Sequence, residues 1–562
     1  MTNYQFTGGT ICAPATIPGT GAISIIRVSG KESLAIADKV IDTKGVPIAE
    51  TEGYRLRYGT VFEADGSVLD NVIVSVFRAP HSYTGENSVE ISCHASRFIV
   101  NKILELLVNA GARIAAPGEF TRRAFVNGKM DLAQAEAVAD VIASQSAASH
   151  RVAMNQLKGG FSSELKVLRE KLLTMTSLLE LELDFSEEDV EFASRKELGQ
   201  LVDDSLTHIG RLTASFSRGN AIKNGVPVAI VGATNTGKST LLNALLGEER
   251  AIVSDIAGTT RDTIEETLNI DGILFRFIDT AGIRETDETI EKIGIDRTFK
   301  KLGEAAVVLG MTDLSRGEAA VLEDADFILS KVNEMGGVKN VAAVIDGSET
   351  GGALLAETDG APLAGTDGAS PAETGGTPLA ETGGASQHGH GHGDGQERKV
   401  VILVNKCDVA GSFYRDDNGT GYGSGNDLGE NMAEIGDNKN VNHNNNIVSL
   451  IENKYDNCKV IPISAKTGKG LSTLTKTLGE IGSEITGSTD ETLVTNVRHY
   501  EALVRASTAL GRVRDGLKVA TLPPDLIAQD LREALYHLGE IVGEISTDET
   551  LGNIFRNFCI GK

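Results

Sequence analysis

The sequence is poor in the residues that mark secreted, zinc-binding and membrane-spanning proteins. It contains no tryptophan, 5% aromatic residues and five cysteines in 562 residues, and the cysteines form no CxxC pair. This scarcity argues against a disulfide framework or a zinc site and favours a reducing compartment. The N-terminus lacks a basic stretch followed by an apolar block, and no apolar run approaches the ~18 residues of a transmembrane helix. We therefore predict a cytoplasmic protein without membrane association. The cysteines are Cys12, Cys93, Cys407, Cys458 and Cys559.

An excess of basic residues is also missing. The chain has 53 Lys and Arg against 78 Asp and Glu, a net charge of −25. Nucleic-acid binders are usually basic, because phosphate contacts supply much of their affinity. If RNA is a substrate, it must meet a local basic patch or be bound by a partner. The segment GEFTRRAFVNGK, with Arg122, Arg123 and Lys129, is the best local candidate, and it fits a solvated helix start equally well.

The spacing of hydrophobic residues changes along the chain. Up to about residue 120, short β-branched runs such as GAISIIRVSG accompany one helix, which indicates an α+β unit. From Asp131 the apolar residues recur at steps of three and four, as in bundle helices. Strands then alternate with helices, as in a parallel α/β sheet. After about residue 490 helices return, and one carries an apolar stripe of Ile527, Leu531, Leu535, Leu538, Val542 and Ile545.

These patterns predict a multidomain α/β protein. An α+β domain occupies residues 1–127. A helical bundle is assembled from two separated segments, 128–225 and 483–562, and a parallel α/β domain over 226–482 is inserted between them.

Low-complexity inserts interrupt the α/β domain at about 349–397 and 411–448. The first is rich in Gly, Thr, Ala and acidic residues, a composition that cannot bury a core. It ends in QHGHGHGDG, whose His388, His390 and His392 could bind Ni or Zn, although a flexible polar linker is the favoured interpretation. The second insert is rich in Asn and Gly and is predicted to be a loop.

The strongest motif is a phosphate-binding loop in VPVAIVGATNTGKSTLLNALLG. An apolar strand leads into Gly232-x-x-x-x-Gly237-Lys238-Ser239 and then into a helix. The glycines allow backbone N–H groups to surround phosphate oxygens, Lys238 reaches the β- and γ-phosphates, and the Ser239 hydroxyl is a Mg²⁺ ligand.

Companion motifs follow in order. SDIAGTTRD supplies Thr259 and Thr260 as switch threonines, and the strand LFRFIDTAG ends in Asp279, with Gly282 able to donate its N–H to the γ-phosphate. These positions suit a Mg²⁺ and γ-phosphate sensor.

The base is predicted to be guanine. VVILVNKCD ends in Asn405, Lys406 and Asp408, and VIPISAKTG contains Ser464-Ala465-Lys466. The Asp408 carboxylate can accept from N1–H and from the 2-amino group of guanine, a pair of donors that adenine lacks.

The segment after the switch departs from Ras-like enzymes. Ile283 stands where those enzymes place a water-orienting Gln. Because an apolar side chain cannot orient water, another group must do so, and Glu285, Glu288 and Glu291 are the candidates. A second departure is Gly310, which interrupts the next apolar strand.

The whole chain resembles the MnmE (TrmE) family of tRNA modification GTPases. The resemblance is carried by ATIPGTGAISIIRVSG, SYTGENSVEISCHAS, APGEFTRRAFVNGKMDLAQAEAVADVI, the nucleotide motifs and the terminal FCIGK. These blocks lie in all the predicted domains. The resemblance implies an N-terminal folate-binding domain, a helical domain made from two segments, and an inserted P-loop GTPase domain.

The resemblance also implies metal and catalytic roles. Thr260 joins Ser239 on Mg²⁺, and the catalytic glutamate falls on Glu291, where it orients the attacking water. A K⁺ ion supplies positive charge to the transition state when two GTPase domains meet in a homodimer. Its ligands fall on Asn235, Ser254, Ile256 and Thr259. The GTP-binding positions as a set are Asn235, Thr236, Gly237, Lys238, Ser239, Thr240, Ser254, Asp255, Ile256, Ala257, Gly258, Thr259, Thr260, Asp279, Thr280, Ala281, Gly282, Asn405, Lys406, Cys407, Asp408, Ser464, Ala465 and Lys466.

The family's N-terminal domain binds 5-formyl-tetrahydrofolate or a related folate as a one-carbon donor, and its ligands match Arg27, Glu90, Lys129 and Lys562. The family acts with a FAD- and NADH-dependent partner, MnmG, in a heterotetramer. Together they add an aminomethyl or carboxymethylaminomethyl group to C5 of the wobble uridine (U34) of certain tRNAs.

The C-terminal tail is predicted to leave a packed helix. Ser546 and Glu549 are placed as a capping box for that helix. Resemblance implies that the tail points to the folate pocket, where Cys559 is a candidate for one-carbon transfer or for activation of C6 of uridine. The alternative for Cys559 is a small buried hydrophobe.

Other functions remain to be weighed. A regulatory GTPase of ribosome assembly would be expected to carry an RNA-binding module after the GTPase domain, and the C-terminal segment is instead helical and largely acidic. A folate-binding protein with a vestigial GTPase is disfavoured by the intact Gly232–Ser239 motif.

Overall fold

The computed structural model divides the chain into two compact units. One comprises Met1–Val226, Thr267–Phe275 and Leu478–Lys562, and the other Pro227–Glu266 and Arg276–Thr477. No helix in the described part of the chain is long and apolar enough to cross a membrane. The structure describes residues 8–184, 194–249, 266–278, 305–334, 398–408, 445–455, 458–487, 491–518, 523–556, 558 and 561.

The first unit begins with a seven-stranded sheet in the order β3-β4-β5-β6-β2-β1-β7. Strands β2, β4, β5 and β6 pair antiparallel with their neighbours, and β1 and β7 pair in parallel. Buried residues alternate with exposed ones along β5, as expected for a sheet with one covered face. The strands are β1 (Ile11–Pro14), β2 (Gly21–Ser29), β3 (Ile41–Asp42), β4 (Arg55–Phe62), β5 (Val68–Phe77), β6 (Ser88–Ala95) and β7 (Arg113–Ile114).

Helices cover one face of this sheet. The buried side chains Ile26, Val74 and Ile91 form a common core with Ile103 and Leu107 of the second helix. The α+β prediction for this region is therefore confirmed. Its helices are α1 (Ser33–Val40), α2 (Arg97–Asn109) and α3 (Glu119–Val126).

A helical bundle completes the first unit. Leu172 and Leu198 from the earlier helical stretch share one core with Leu503, Leu531 and Leu538 from the later one. The two stretches therefore form one bundle. Its interior contains Ile527, Leu531, Leu535 and Leu538 of the predicted apolar stripe, and Val542 packs against it, whereas Ile545 lies beyond the end of that helix. The helices are α4 (Leu132–Ala143), α5 (Ala147–Leu157), α6 (Gly160–Asp184), α7 (Arg195–Ala214), α8 (Phe216–Asn224), α13 (Val497–Leu517), α14 (Pro524–Val542) and α15 (Asp548–Arg556).

The start of α15 differs from the prediction by one residue. Thr547 precedes the helix, and its Oγ1 accepts from the backbone N–H of Thr550 at 3.1 Å. Thr547 is therefore the N-cap, and the prediction that Ser546 caps this helix is wrong. The side chain of Glu549, the other half of the predicted capping box, lies outside the part of the chain that the structure describes. A threonine adjacent to the serine offers the same cap chemistry, which is why the sequence alone did not separate them.

The second sheet has the order β13-β12-β11-β8-β10-β9. Strands β8, β11, β12 and β13 pair in parallel, so their carboxyl ends meet at one edge. These strands are buried along nearly their whole length, as parallel strands covered on both faces must be. The strands are β8 (Val226–Gly232), β9 (Glu266–Ile270), β10 (Ile273–Ile278), β11 (Val307–Asp313), β12 (Lys399–Asn405) and β13 (Cys458–Pro462), and the helices α9 (Lys238–Glu249), α10 (Glu318–Glu334), α11 (Asn445–Lys454) and α12 (Leu471–Thr486).

Gly310, the unexpected residue of β11, has a packing explanation. A Cβ at this position would lie 2.6 Å from Ile402 Cδ1 and 3.1 Å from Ile328 Cγ2. The neighbouring strand and α10 therefore fill the space that a side chain would need. The strand itself remains regular and ends in Asp313.

Candidate functional site

The predicted phosphate loop connects β8 to α9. Thr236 Oγ1 donates to the Ala233 carbonyl at 2.9 Å and closes the loop on itself. Lys238 Nζ donates to the carbonyls of Gly232 at 3.0 Å and Ala233 at 2.8 Å. Burial lowers the pKa of Lys238. The loop thus holds a half-buried ammonium group at the carboxyl edge of the sheet, where a phosphate can replace its carbonyl partners.

The Asn405 side chain joins the phosphate loop to the base loop. Its Nδ2 donates to the Thr236 carbonyl at 2.7 Å, and its Oδ1 accepts from the Ala465 N–H at 3.0 Å. A Cβ on Gly237, whose φ is +97°, would collide with Asn405 Nδ2. Glycine is therefore required there both by the backbone conformation and by the closeness of Asn405. Asn405 acts on the nucleotide site by fixing its two loops.

The base loop presents an exposed carboxylate. Asp408 Oδ1 accepts from Ser464 Oγ at 2.7 Å, and the same hydroxyl accepts from the Thr467 N–H at 3.3 Å. Ser464 is buried, whereas Asp408 and Lys466 are exposed. The second Asp408 oxygen and the exposed side of this loop can meet the donor edge of guanine.

Lys406 is held by a residue that sequence reasoning missed. Its Nζ lies 2.6 Å from Asp313 Oδ2, and Asp313 Oδ1 accepts from the N–H and Oγ of Ser315. Burial alone would raise the pKa of Asp313, but its hydrogen bonds with Lys406 and Ser315 lower it. Asp313 is the last residue of β11 and lies beside Asn405 at the carboxyl end of β12. Because polar residues at the carboxyl ends of parallel strands meet at one edge of the sheet, the position of Asp313 in the sequence is a signal that could have identified it.

The remaining described positions differ in what they can offer. Asn235 is exposed and has a left-handed φ of 61°, a conformation that non-glycine residues adopt mainly at special sites. Thr240 is exposed and Ser239 is half-buried. Cys407 Sγ instead points to the core, where it donates to the Val404 carbonyl at 3.2 Å, and burial raises its pKa to about 11. Only the backbone of Cys407 is available to a nucleotide.

Several predicted positions lie outside the described residues. They are Ser254, Asp255, Ile256, Ala257, Gly258, Thr259, Thr260, Asp279, Thr280, Ala281, Gly282, Glu291, Cys559 and Lys562.

A second cluster lies in the first unit around Arg27. Arg27 and Glu90 are cross-strand neighbours on β2 and β6, and Arg27 Nε donates to Glu90 Oε1 at 2.9 Å. The Arg27 guanidinium lies 5.1 Å from the Tyr83 ring centre and 5.6 Å from that of Phe120. Its Nη1 donates to the Gly561 carbonyl at 3.4 Å. A residue of the C-terminal tail is thus bound to the predicted folate residue, although they are 534 positions apart.

Packing fixes the route of the tail. Phe555 and Phe558 close the space next to Gly118, and their rings lie 5.2 Å apart. A side chain on Gly561 would collide with the carbonyl of Pro14 at the end of β1. The two described residues beyond α15, Phe558 and Gly561, therefore pack against the N-terminal α+β domain.

One cation of the basic segment proposed for RNA, Arg123, is closed off from solvent. Arg123 is 2% exposed, and it is paired with Glu119 and Glu86 at 3.0 Å each. Lys129 Nζ donates to the Pro80 carbonyl at 3.1 Å. The prediction that Arg123 meets RNA is therefore wrong, because this guanidinium is buried and paired with Glu119 of α3 and with Glu86.

A phosphate loop on a parallel sheet, joined to an aspartate-bearing base loop, defines a P-loop domain for guanine nucleotides. The family model of the "MnmE helical domain" matches residues 132–559, and that of the "GTP-binding protein TrmE N-terminus" matches residues 10–129. The chain belongs to the MnmE (TrmE) family.

Curated relatives match along the full chain. "tRNA modification GTPase MnmE" of Parabacteroides distasonis is 44% identical over 560 residues, covering 98% of this chain and 100% of the relative. The protein of the same name from Bacteroides thetaiotaomicron is 43% identical, covering 98% and 99%. A Sulfolobus solfataricus GTP-binding protein in complex with GDP is 14% identical and covers 57% of this chain and 67% of its own, with a TM-score of 0.24, too low to bear on the fold.

Proposed function

We propose that this GTP-hydrolysing enzyme of tRNA modification acts at the wobble uridine. It adds an aminomethyl or carboxymethylaminomethyl group to C5, together with a FAD- and NADH-dependent flavoprotein of the MnmG type. The carbon comes from a folate one-carbon unit bound by the N-terminal domain. Family membership and the names of the relatives support tRNA as the substrate, and they disfavour a regulatory switch in ribosome assembly.

The observation that carries the proposal is the contact of the C-terminal tail with Arg27. A pterin is a planar ring with hydrogen-bond donors and acceptors on its edges. Arg27 and Glu90 supply both kinds of group beside the Tyr83 ring, so the residues present fit a folate. Bound there, the folate supplies the one-carbon unit. Arg27 and Glu90 orient it. Gly561, whose carbonyl accepts from Arg27, is two residues from Cys559 and one residue from Lys562 in the sequence.

The GTPase domain supplies the energy-dependent step. Ser239 and Thr260 are the proposed Mg²⁺ ligands, and Asn235, Ser254, Ile256 and Thr259 the proposed K⁺ ligands, of which Asn235 has the exposed, left-handed backbone that suits this task. The cations supply positive charge against the negative charge that develops on the phosphates. Glu291 is proposed to orient the attacking water, since Ile283 cannot.

Two copies of the chain are proposed to form a homodimer through an exposed apolar patch on the face of the seven-stranded sheet opposite α2. Tyr58 pairs with Ile73 across β4 and β5, and both are exposed, as are Leu56 and Ile23 on the same face. Arg27 lies on this face two residues beyond Ile25. Contiguous exposed apolar surface of this kind marks an interface in soluble proteins.

Light scattering tests the dimer. Tyr58→Glu/Ile73→Glu is expected to run as a monomer, whereas Val167→Glu/Leu173→Glu, at exposed positions of α6, stays a dimer. Equal masses for the two variants contradict the proposed face.

A cytoplasmic location completes the proposal. The described cysteines, Cys12, Cys93, Cys407 and Cys458, are free and buried, which suits a reducing compartment.

Replacement of K⁺ by Na⁺ tests the proposed mechanism of GTP hydrolysis. Hydrolysis by the full chain is expected to be at least tenfold faster in K⁺ than in Na⁺ at equal ionic strength, because an ion placed at the transition state contributes more than about 1.4 kcal/mol. Equal rates would show that the K⁺ mechanism is wrong.

Nucleoside analysis tests the proposed modification of tRNA. Deletion of the gene should leave wobble uridines unmodified, and unchanged nucleosides contradict the proposal.

A further inference from the structure

A cleft of about 720 Å³ lies beside α5 in the first unit. We call it the α5 cleft and define it by the charged and amide side chains that line it. These are His150, Arg151, Lys158, Gln145, Asn155 and Asn269.

The α5 cleft is basic in an acidic chain. Among the described residues that line it, His150, Arg151 and Lys158 are basic and none is acidic, although the chain carries a net charge of −25. The acid nearest in sequence to Asn269 is directed elsewhere: a Cβ on Gly479 would lie 2.5 Å from Asp271 Oδ2. The side chains that line the cleft are therefore of opposite charge to the protein as a whole.

The basic residues are spaced as a linear contact surface. Arg151 and Lys158 are seven positions apart on and just beyond α5, two helical turns or about 11 Å along its axis. His150, Arg151, Asn155 and Lys158 are all exposed. Arg151, Asn155 and Lys158 form one stripe along the helix, which suits an extended anionic ligand better than a single small anion.

The β9–β10 hairpin contributes Asn269 to the lining of the cleft. Asn269 Nδ2 donates to the Gln145 carbonyl at 2.9 Å, and Asn269 Oδ1 accepts from the Gly272 N–H at 3.1 Å. The left-handed residues Asp271 and Gly272 make the tight turn that brings the hairpin here. The cleft is thus built from two elements that are held together by a hydrogen bond, and it is not an isolated surface helix.

We propose that the α5 cleft binds the phosphate backbone of tRNA. Arginine can hold a phosphate with two parallel hydrogen bonds, and lysine and protonated histidine add charge. The amides of Gln145 and Asn155 can bond to phosphate oxygens and 2′-hydroxyls. The complementary charge of RNA selects it as the occupant. The inference rests on the proposed function, because it takes tRNA as the substrate, and it replaces the Arg123 segment as the basic contact.

The test compares two variants with the same loss of charge. Arg151→Gln/Lys158→Gln removes two cations from the cleft, and Lys166→Gln/Lys171→Gln removes two exposed cations from α6. Binding of unmodified tRNA transcript to the full chain is measured by fluorescence anisotropy from about 50 to 200 mM salt. The cleft variant is expected to bind about tenfold more weakly, and its slope of log K against log salt should fall by about two. The α6 variant should match the wild type. GTP hydrolysis without tRNA should be unchanged in both.

Other outcomes overturn the inference. If both variants bind tRNA alike, or if the wild-type chain binds no tRNA at 50 mM salt, the cleft is not an RNA site. If the cleft variant keeps tRNA but loses the flavoprotein in a pull-down, the cleft is an acidic-protein interface. None of these results contradicts the proposed function. That proposal fails separately, if wobble nucleosides are unchanged after gene deletion.

Discussion

Asn405 Nδ2 donates to the Thr236 carbonyl at 2.7 Å, and this one bond ties the strand that ends at the base loop to the phosphate loop. Both groups are buried. The two ends of the nucleotide site are therefore held at a fixed separation before any nucleotide arrives. Such preorganisation lowers the entropic cost of binding a rigid ligand.

Removal of the Asn405 side chain should weaken binding of GDP and GTP alike. Asn405→Ala leaves the Thr236 carbonyl and the Ala465 N–H without their partner, a combined cost of about 3 kcal/mol, or roughly 100-fold in affinity. Titration with a fluorescent GDP analogue measures it. Thr475→Ala, whose hydroxyl bonds only within its own helix, is the control and should bind normally. A loss confined to GTP would contradict a role in holding the loops.

Base selection should depend on the Asp408 carboxylate. Asp408→Asn replaces an acceptor with a donor, and GTP affinity is expected to fall about 100-fold while xanthosine triphosphate, which has a carbonyl at position 2, binds better than GTP. Competition binding with both nucleotides checks this exchange. Ser464→Ala, which removes the 2.7 Å bond to Asp408 and the weaker 3.3 Å bond from the Thr467 N–H, should cost a few-fold. Unchanged preference in Asp408→Asn would place the base elsewhere.

Asp313 should act as a positioning residue through Lys406. A double-mutant cycle of Asp313→Asn and Lys406→Met in GDP affinity is expected to give a coupling energy of about 1–3 kcal/mol, because the two groups are 2.6 Å apart. A coupling near zero would show that the ion pair does not serve the nucleotide. Thermal unfolding of the same variants separates this effect from a general loss of stability.

The bundle contains a buried acid whose charge should stabilise it. Glu136 lies 2.6 Å from His499 and 2.9 Å from Arg498. Burial alone would raise the pKa of Glu136, but the charges and hydrogen bonds of His499 and Arg498 outweigh it and lower that pKa to about 2. Because the pKa is lower in the folded state, the contribution is complete above the unfolded value near 4.5 and is lost as pH falls from there toward 2.

Glu136→Gln tests this pair. The variant is expected to lose about 3 kcal/mol of unfolding free energy at pH 7, since it leaves the half-buried Arg498 without its charged partner. Denaturant titration between pH 7 and pH 3 should show the wild type losing stability over the acid range and the difference from the variant shrinking. A constant difference across that range would contradict the assignment.

The sequence motifs account for the described part of the nucleotide site, whereas most contacts around Arg27 have no local signal in the sequence. The phosphate loop, Asn405, Asp408 and Ser464 follow from motifs that end strands, since parallel strands bring such residues to one edge. Tyr83, Phe120 and Gly561 join Arg27 only through long-range packing, which no local pattern encodes. The prediction of Arg123 as an RNA contact is wrong for the same reason. The sequence shows its charge, but only the fold shows that Glu86 and Glu119 are its partners.

Reconstitution tests the central claim most directly. Purified chain, flavoprotein, tRNA transcript, folate one-carbon donor, NADH, GTP, Mg²⁺ and K⁺ are combined, and the wobble nucleoside is analysed by mass spectrometry. The account predicts a C5-modified uridine in the complete mixture, little or none when GTP is replaced by a non-hydrolysable analogue, and a loss with Arg27→Ala. Equal modification with the analogue, or none in the complete mixture, would contradict it.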